Sequence, residues 1–187
     1  MIEELCQRIL DLSGRVGALK YGEFTLASGA PSSYYFDGRL ISLHPEGAYY
    51  LGKVFLESLG SYDVAAVGGP ATAAIPLVTA IALVSHLEGK PIEAFFVRAE
   101  AKAYGTGQRV EGRLVQGSRV AVVDDVCTTG SSLFGAIEAV ESEGCQVMKI
   151  LTILDRHQGG SEELRRRGYD FQALLEADAE GTVRVAG

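Results

Sequence analysis

The chain alternates between short apolar runs of strand length and longer segments with apolar residues at helical spacing. Helical spacing begins at Ile2 and continues to Leu10, which predicts an N-terminal amphipathic helix that ends near 12–14. The same spacing predicts later helices over 46–59, 72–87, 133–140 and 162–167. Apolar or β-branched runs predict strands over 63–67, 92–97, 120–123, 147–154 and 171–175. This alternation indicates an α/β fold in which helices cover both faces of a parallel sheet.

The segment before the first long helix has a different pattern. Two short β-like pieces surround a Gly, Pro and Ser turn over 22–39, which predicts a small hairpin outside the main sheet. The tail over 181–187 carries no clear pattern. No internal repeat, linker or low-complexity tract suggests a second domain, so we expect one domain over 1–187.

Composition excludes several classes of protein. A chain of 187 residues with 47% hydrophobic content can bury its own core, and a net charge of −7 argues against a general nucleic-acid or membrane surface. The three cysteines lack metal-ligand spacing, and no opening signal peptide is present, so we expect a reduced, cytoplasmic protein. The scattered histidines, His44, His86 and His157, are expected on the surface or in loops and not as metal ligands.

One segment, 119–132, carries the main chemical signal. The run Val120 to Val123 is typical of a buried parallel strand, and Asp124 and Asp125 follow it at the edge where α/β sheets bind ligands. Gly130 permits a tight turn into the next helix, whose free N–H groups and positive dipole end attract a phosphate. Hydroxyl groups that can add donors are supplied by Thr128, Thr129, Ser131 and Ser132. The order of these residues predicts a phosphate site.

Two carboxylates beside a phosphate site imply a ligand that also carries alcohols or a cation, as a sugar phosphate with Mg²⁺ does. The alternative is that Thr129 or Ser131 merely caps a helix, which explains one hydroxyl and neither carboxylate. Cys127 is expected to be a small loop residue. The alternative interpretation is a reactive thiol near a helix N-terminus.

A polar, basic and glycine-punctuated segment over 98–112 precedes the phosphate strand. By itself it is typical of a solvated hairpin, because exposed basic loops are common. Next to a phosphate site it also fits a mobile lid, which would expel water and bring Lys and Arg to developing negative charge.

The apolar run, two acids and Thr-Thr-Gly of 119–132 resemble the phosphoribosyl pyrophosphate (PRPP) motif of the type I phosphoribosyltransferases. Nearly the whole chain is similar to the orotate phosphoribosyltransferases within that family. The segments that carry this similarity are Phe24 to Arg39, His44 to Tyr49, Gly89 to Ile92, Arg98 to Gly112 and Leu154 to Arg156. The resemblance implies the type I phosphoribosyltransferase fold, a parallel sheet flanked by helices, with a small hood over about 1–40 and a core over about 41–187.

The same resemblance implies transfer of ribose 5-phosphate from PRPP to orotate, which forms orotidine 5'-monophosphate and pyrophosphate. It implies a homodimer in which Arg98 and Lys102 of the lid act at the neighbouring subunit's site, and Mg²⁺ held mainly by PRPP, pyrophosphate and waters near the acids, with no direct protein ligand. The implied catalytic residues are Lys102, Asp124 and Asp125. The implied PRPP-binding residues are Arg98, Lys102, Tyr104, Asp124, Asp125, Val126, Cys127, Thr128, Thr129, Gly130, Ser131 and Ser132. The implied orotate-binding residues are Tyr35, Phe36, Thr128 and Arg156, with Arg156 pairing with the carboxylate.

The lid departs from the family pattern, which commonly has Arg-Lys-x-x-Lys-x-His-Gly. This chain has Ala99 in place of the first lysine and Tyr104 in place of the histidine. Two alternatives therefore stay open: a phosphoribosyltransferase for another base, and a PRPP-binding regulator with weak catalysis. Arg156 discriminates between bases, because a base without a carboxylate gives it no partner, and the acidity of the chain disfavours RNA as a partner of a regulator.

Overall fold

A computed structural model describes residues 1–25, 29–100 and 109–187. The helices are α1 (Ile2–Arg15), α2 (Arg39–Ser42), α3 (Pro45–Ser58), α4 (Ala74–Leu87), α5 (Ser131–Ser142) and α6 (Gly160–Arg166). The strands are β1 (Leu19–Thr25), β2 (Pro31–Phe36), β3 (Ala66–Gly68), β4 (Glu93–Val97), β5 (Val110–Gly112), β6 (Arg119–Cys127), β7 (Gln146–Asp155), β8 (Phe171–Ala177) and β9 (Val183–Val185).

Seven of the strands form one sheet in the order β5-β4-β3-β6-β7-β8-β9. The five inner strands are parallel, which confirms the architecture predicted from the alternation of elements. Both edge strands are antiparallel to their neighbours and were not predicted. Each has three residues, too few to show a two-residue period, and their backbone pairing with β4 and β8 makes them strands.

The phosphate strand β6 is buried on both faces. Val120 and Val122 join a core cluster with α5, whereas Ala121 and Val123 join the cluster that contains α1, α3 and α4. The predicted end of this strand at 123 was wrong, because β6 pairs with β7 as far as Cys127. The two acids therefore lie inside the last part of the strand and not in the loop after it.

The predicted N-terminal hairpin is confirmed as a separate two-stranded sheet of β1 and β2. The backbone N–H of Asp37, just after β2, donates to the carbonyl of Ala18 at 2.9 Å. Helix α1 packs mainly on α3 and also contacts β8 and β9, which covers one face of the sheet. No helix in the described ranges is long and apolar enough to cross a lipid bilayer.

Candidate active site

Asp124 and Asp125 form a closely coupled acid pair at the carboxyl end of β6. Asp124 is buried, and its two carboxylate oxygens accept hydrogen bonds from the Asp125 N–H and the Ser132 hydroxyl, each at 2.9 Å. Burial raises the pKa of Asp124 to about 7, and the charge of Asp125 adds to the effect. Burial also raises the pKa of Asp125. The pair is short of positive charge, which a cationic group of a ligand would supply.

The loop that follows the acid pair turns into α5 through Gly130. Gly130 has a φ of 77°, a left-handed conformation that favours glycine, and it is the N-cap residue of α5. No side chain caps this helix, so the alternative that Thr129 or Ser131 acts as a cap was wrong. The first-turn N–H groups of a 12-residue helix thus stand at the acid pair without a side-chain acceptor, as a phosphate site requires.

A cavity of about 270 Å³ lies beside this helix end. It is lined by Pro70 and Ala71 after β3, by Arg98, Ala99 and Arg109, and by Val97, Ser131, Ser132, Gly135 and Ala136. Arg98 and Arg109 are tied together, because the Arg98 N–H donates to the Arg109 carbonyl at 2.8 Å and the Arg109 Nε donates back to the Arg98 carbonyl at 3.2 Å. Sequence reasoning selected Arg98 and missed Arg109, although both lie in the basic segment. Of the other lid residues, Lys102 and Tyr104 lie outside the described residues.

The turn after β7 is locked against the phosphate loop. The N–H of Arg156 donates to the Cys127 carbonyl at 2.9 Å, and the N–H of Gly160 donates to the Thr128 carbonyl at 3.0 Å. A Cβ on Gly160 would lie only 2.6 Å from the nitrogen of Gly130, so a glycine is required for this approach. The two loops therefore hold the backbone of Arg156 against Cys127, two residues after the acid pair.

Arg156 carries a buried cation without a full set of acceptors. Its guanidinium carbon stands 4.6 Å from the centre of the Tyr34 ring, yet its Nη1 has no hydrogen-bond partner within the described part of the chain. A buried N–H group of a guanidinium without an acceptor is unfavourable, and a planar carboxylate satisfies it best. A carboxylate of a ligand next to this aromatic ring would satisfy the Nη1 group.

The aromatic residues of β2 divide between the two faces of that strand. Tyr34 and Phe36 are buried on one face, whereas Tyr35 is 39% exposed on the other. Sequence reasoning selected Tyr35 and Phe36 and missed Tyr34, although two-residue alternation places Tyr34 on the face of Phe36. The predicted contacts of Tyr35 and Phe36 with a base stay predictions.

Arg156 and Tyr34 open on a cavity of about 510 Å³ that also includes His157, Glu176 and Arg184. His157 has a φ of 50°, and its ring lies between three carboxylates, with Nε2 at 3.3 Å from Glu176 and Nδ1 at 3.5 Å from both Asp155 and Glu162. Partial burial lowers the pKa of His157, but the hydrogen bond to Glu176 and the charge of Asp155 outweigh it, so the net shift is upward.

The raised pKa of His157 predicts a pH-dependent contribution to stability. The protonated ring stabilises the folded chain fully below its usual value of 6.5, and this stabilisation is lost as the pH rises through the higher folded value. We expect His157→Gln to lower the free energy of unfolding at pH 5.5 and to match the wild type at pH 9, in urea denaturation. The exposed His86 supplies the control, because His86→Gln should leave the pH dependence in place. Parallel curves for wild type and His157→Gln would contradict the assignment.

Cys127 is not placed for reactivity. It is the last residue of β6, not a loop residue as expected, and its side chain is fully buried. Burial raises the pKa of its thiol to about 12, with the charge of Asp155 adding to the effect, so the thiolate form is strongly disfavoured. The reading of Cys127 as a reactive thiol was wrong.

Comparison with known proteins agrees with this geometry. The family model described as "Phosphoribosyl transferase domain" matches residues 50–172, which include the acid pair, the phosphate loop and Arg156. An orotate phosphoribosyltransferase of Nostoc sp. is 41% identical over 175 residues, 93% of this chain and 84% of that protein. One from Methanopyrus kandleri is 40% identical over 185 residues, covering 95% of this chain and 97% of the relative.

Solved structures of the orotate phosphoribosyltransferase of Mycobacterium tuberculosis are similar along nearly the whole fold. The complex with Fe(III) dicitrate has 35% sequence identity and a TM-score of 0.81. The complex with PRPP has 32% identity and a TM-score of 0.77. Each covers 92% of this chain and 96% of the solved chain. The arrangement of sheet, hairpin and loops is thus shared with these proteins.

Proposed function

The chain belongs to the orotate phosphoribosyltransferase family, and from that premise we propose that it transfers ribose 5-phosphate from PRPP to orotate. The products are orotidine 5'-monophosphate and pyrophosphate, a step of pyrimidine biosynthesis. One observation carries the proposal for this chain. The backbone of Arg156 is hydrogen-bonded to the end of the phosphate strand, and its buried guanidinium has no partner for Nη1 among the described residues, so a carboxylated base fits close to the loop that would hold a phosphorylated sugar.

PRPP fits the two ends of the site. The 5-phosphate is assigned to the N–H groups and hydroxyls of 128–132, and the pyrophosphate to the cavity lined by Arg98. The ribose then lies over Asp124 and Asp125, whose carboxylates accept hydrogen bonds from its hydroxyls. Orotate lies between Arg156 and the aromatic residues of the hairpin, with Thr128 at the junction of the two substrates.

Mg²⁺ is proposed to enter with PRPP. The site fits such a cation, because burial raises the pKa of both acids and the charge of Asp125 raises that of Asp124 further, and a nearby positive charge reverses that shift. Asp124 and Asp125 are the residues that would hold it, through bound water. When bound, the ion neutralises charge on the pyrophosphate that leaves.

The reaction breaks the bond between C1 of the ribose and a pyrophosphate oxygen, which keeps the electron pair. A ring nitrogen of orotate attacks as the anion of a weak acid, after its proton has gone to solvent, and forms the new bond to C1, which carries positive charge in the transition state. The ionised acid pair stabilises that charge, and preorganised groups in a water-poor site are effective because they need little reorganisation. Lys102 is assigned to the departing pyrophosphate, and Arg156 holds the orotate ring in line with C1.

We further propose that the protein works as a homodimer in the cytoplasm. Leu43 before α3 and Leu83 and Leu87 on α4 expose 73%, 59% and 72% of their surface, and α3 packs against α4. A second subunit packed there would cover these side chains. The lid segment over 98–112 would then reach across to the partner's site.

A screen of bases tests the proposed function. The purified chain is incubated with PRPP, Mg²⁺ and one of orotate, uracil, adenine or hypoxanthine, and pyrophosphate release and nucleotide product are measured. We expect turnover with orotate alone, because only orotate carries the carboxylate that Arg156 requires. Turnover with adenine or uracil would favour the first alternative, and PRPP binding without turnover of any base would favour the regulator.

Mixing two inactive variants tests the shared lid. Lys102→Ala and Asp125→Asn homodimers are each expected to be nearly inactive, whereas their mixture forms heterodimers with one site that keeps both residues. Activity should therefore return after subunit exchange, towards a quarter of the wild-type value for equal, random mixing. The control is a mixture of Asp125→Asn with Asp124→Asn, which lie on the same motif and leave no intact site. Confirmed exchange without recovery would place Lys102 in its own subunit's site.

A further inference from the structure

Gly38 occupies a backbone conformation that every amino acid can adopt. Its φ of −62° and ψ of −22° are helical, and it stands just before α2. Glycine is needed where φ is positive or where another group leaves no room for a Cβ. The first reason does not apply to Gly38, so the reason for glycine at this position must lie in its surroundings.

The group that leaves no room is the side chain of Asp125. A Cβ on Gly38 would lie 2.6 Å from the Asp125 Cβ, 3.1 Å from its Oδ2 and 3.3 Å from its Cγ. Carbon atoms in favourable contact stand about 3.5–4.0 Å apart, so a methyl group at this position forces one of the two segments to move. The backbone at Gly38 is therefore one wall of the acid-pair site.

The turn over 37–39 is held firmly enough to act as a wall. The Arg39 Nε and Nη2 donate to the two carboxylate oxygens of Asp37 at 2.8 and 2.9 Å, which closes a bidentate pair. The Gly38 carbonyl accepts hydrogen bonds from the N–H groups of Ile41 and Ser42 at 3.1 and 2.9 Å. The N–H of Asp37 donates to the carbonyl of Ala18, the residue just before β1, so the turn lies between the start of the hairpin and the acid pair.

We propose that Gly38 is a positioning residue for the reaction: its bare backbone fixes the Asp125 side chain in the orientation that meets the ribose hydroxyls of PRPP. The inference deepens the proposed function and depends on it. It assigns the N-terminal hairpin a part in the handling of PRPP, in addition to the contacts of its aromatic residues with the base. Misplacing a catalytic group by about 1 Å costs on the order of a hundredfold in rate, so a wall of this kind has a measurable effect.

The test compares two glycine-to-alanine variants. Gly38→Ala adds a methyl group against Asp125, and Gly52→Ala adds one to the contact of α3 with α4, where its Cβ would lie 2.7 Å from Val84 Cγ2 and 2.8 Å from the Ala80 carbonyl oxygen. Both variants should unfold at a lower temperature than the wild type. Only Gly38→Ala should lower kcat/KM for PRPP, by at least about tenfold, with KM for orotate within about twofold of wild type.

Equal PRPP kinetics for the two variants, measured below both unfolding temperatures, would overturn the proposal. If Gly38→Ala does not fold, Arg39→Lys decides the matter, because it loses the bidentate pair with Asp37 without adding a clash and keeps the positive charge near Asp125. That variant should have a severalfold lower kcat/KM for PRPP and an unchanged KM for orotate. Unchanged PRPP kinetics would overturn the proposal. A wild-type chain that turns over no base refutes the proposed function instead. Calorimetry of PRPP binding with Mg²⁺ then tests the positioning by itself: weaker binding to Gly38→Ala than to Gly52→Ala supports the proposal, and equal binding overturns it.

Discussion

Asp125→Asn is expected to lower kcat by at least about tenfold, because it weakens a charge-assisted contact to the ribose that contributes about 1.5–3 kcal/mol. The variant should not lose stability. Removing the charge of Asp125 relieves repulsion with the buried Asp124, so the free energy of unfolding at neutral pH should stay equal or rise. Steady-state kinetics with PRPP and orotate, together with urea denaturation, measure both effects.

The matched control for this variant is Asp170→Asn. Asp170 lies just before β8, at the amino end of that strand and away from the candidate site. It forms an ion pair of 2.8 Å with the nearly buried Lys149. Asp170→Asn should lower the free energy of unfolding and leave kcat unchanged, whereas Asp125→Asn should lower kcat and leave stability unchanged or higher. An Asp125→Asn enzyme with wild-type kcat would show that the acid pair does not contact the reacting sugar.

Arg156→Gln is expected to raise KM for orotate by at least about thirtyfold, because truncating one partner of a buried charge pair costs about 2–5 kcal/mol. Affinity for orotate should fall and affinity for PRPP should not, since the phosphate loop and the acid pair stay intact. Arg156→Lys should show a similar loss, because lysine lacks the planar, two-pronged geometry that matches a carboxylate. Initial rates at saturating PRPP, and binding of PRPP alone, separate the two substrates.

Arg184→Gln provides the comparison for Arg156→Gln. Arg184 lines the same cavity, but its guanidinium is already paired with Glu176 at 2.9 Å and is largely exposed. We expect its replacement to change KM for orotate by less than about threefold, because exposed ion pairs contribute little. Similar losses in both variants would mean that the cavity attracts orotate by its overall charge, and that Arg156 is not a specific anchor.

The order of neighbouring residues in the sequence was sufficient to predict the phosphate site. In 119–132 an apolar run, two acids and a glycine turn follow one another along the chain, so strand, acid pair and helix N-terminus are consequences of neighbouring residues. The parallel sheet follows for the same reason, because helical and strand patterns alternate over most of the chain. Within the phosphate site the end of β6 was misplaced, since its pairing with β7 continues past the last apolar residue of the run.

Contacts between distant parts of the chain required the tertiary structure. The stacking of Tyr34 on Arg156, the approach of Gly38 to Asp125 and the pairing of Arg109 with Arg98 all depend on how the hairpin and loops settle on the sheet. Two-residue alternation along β2 places Tyr34 on the face of Phe36, but no periodicity marks these three contacts, because the partners lie on separate parts of the chain and their spacing in sequence carries no information about the distance in space. The sequence by itself thus determined the chemistry at the end of β6, and the packing of the hairpin and the β7 turn decided which side chains surround it.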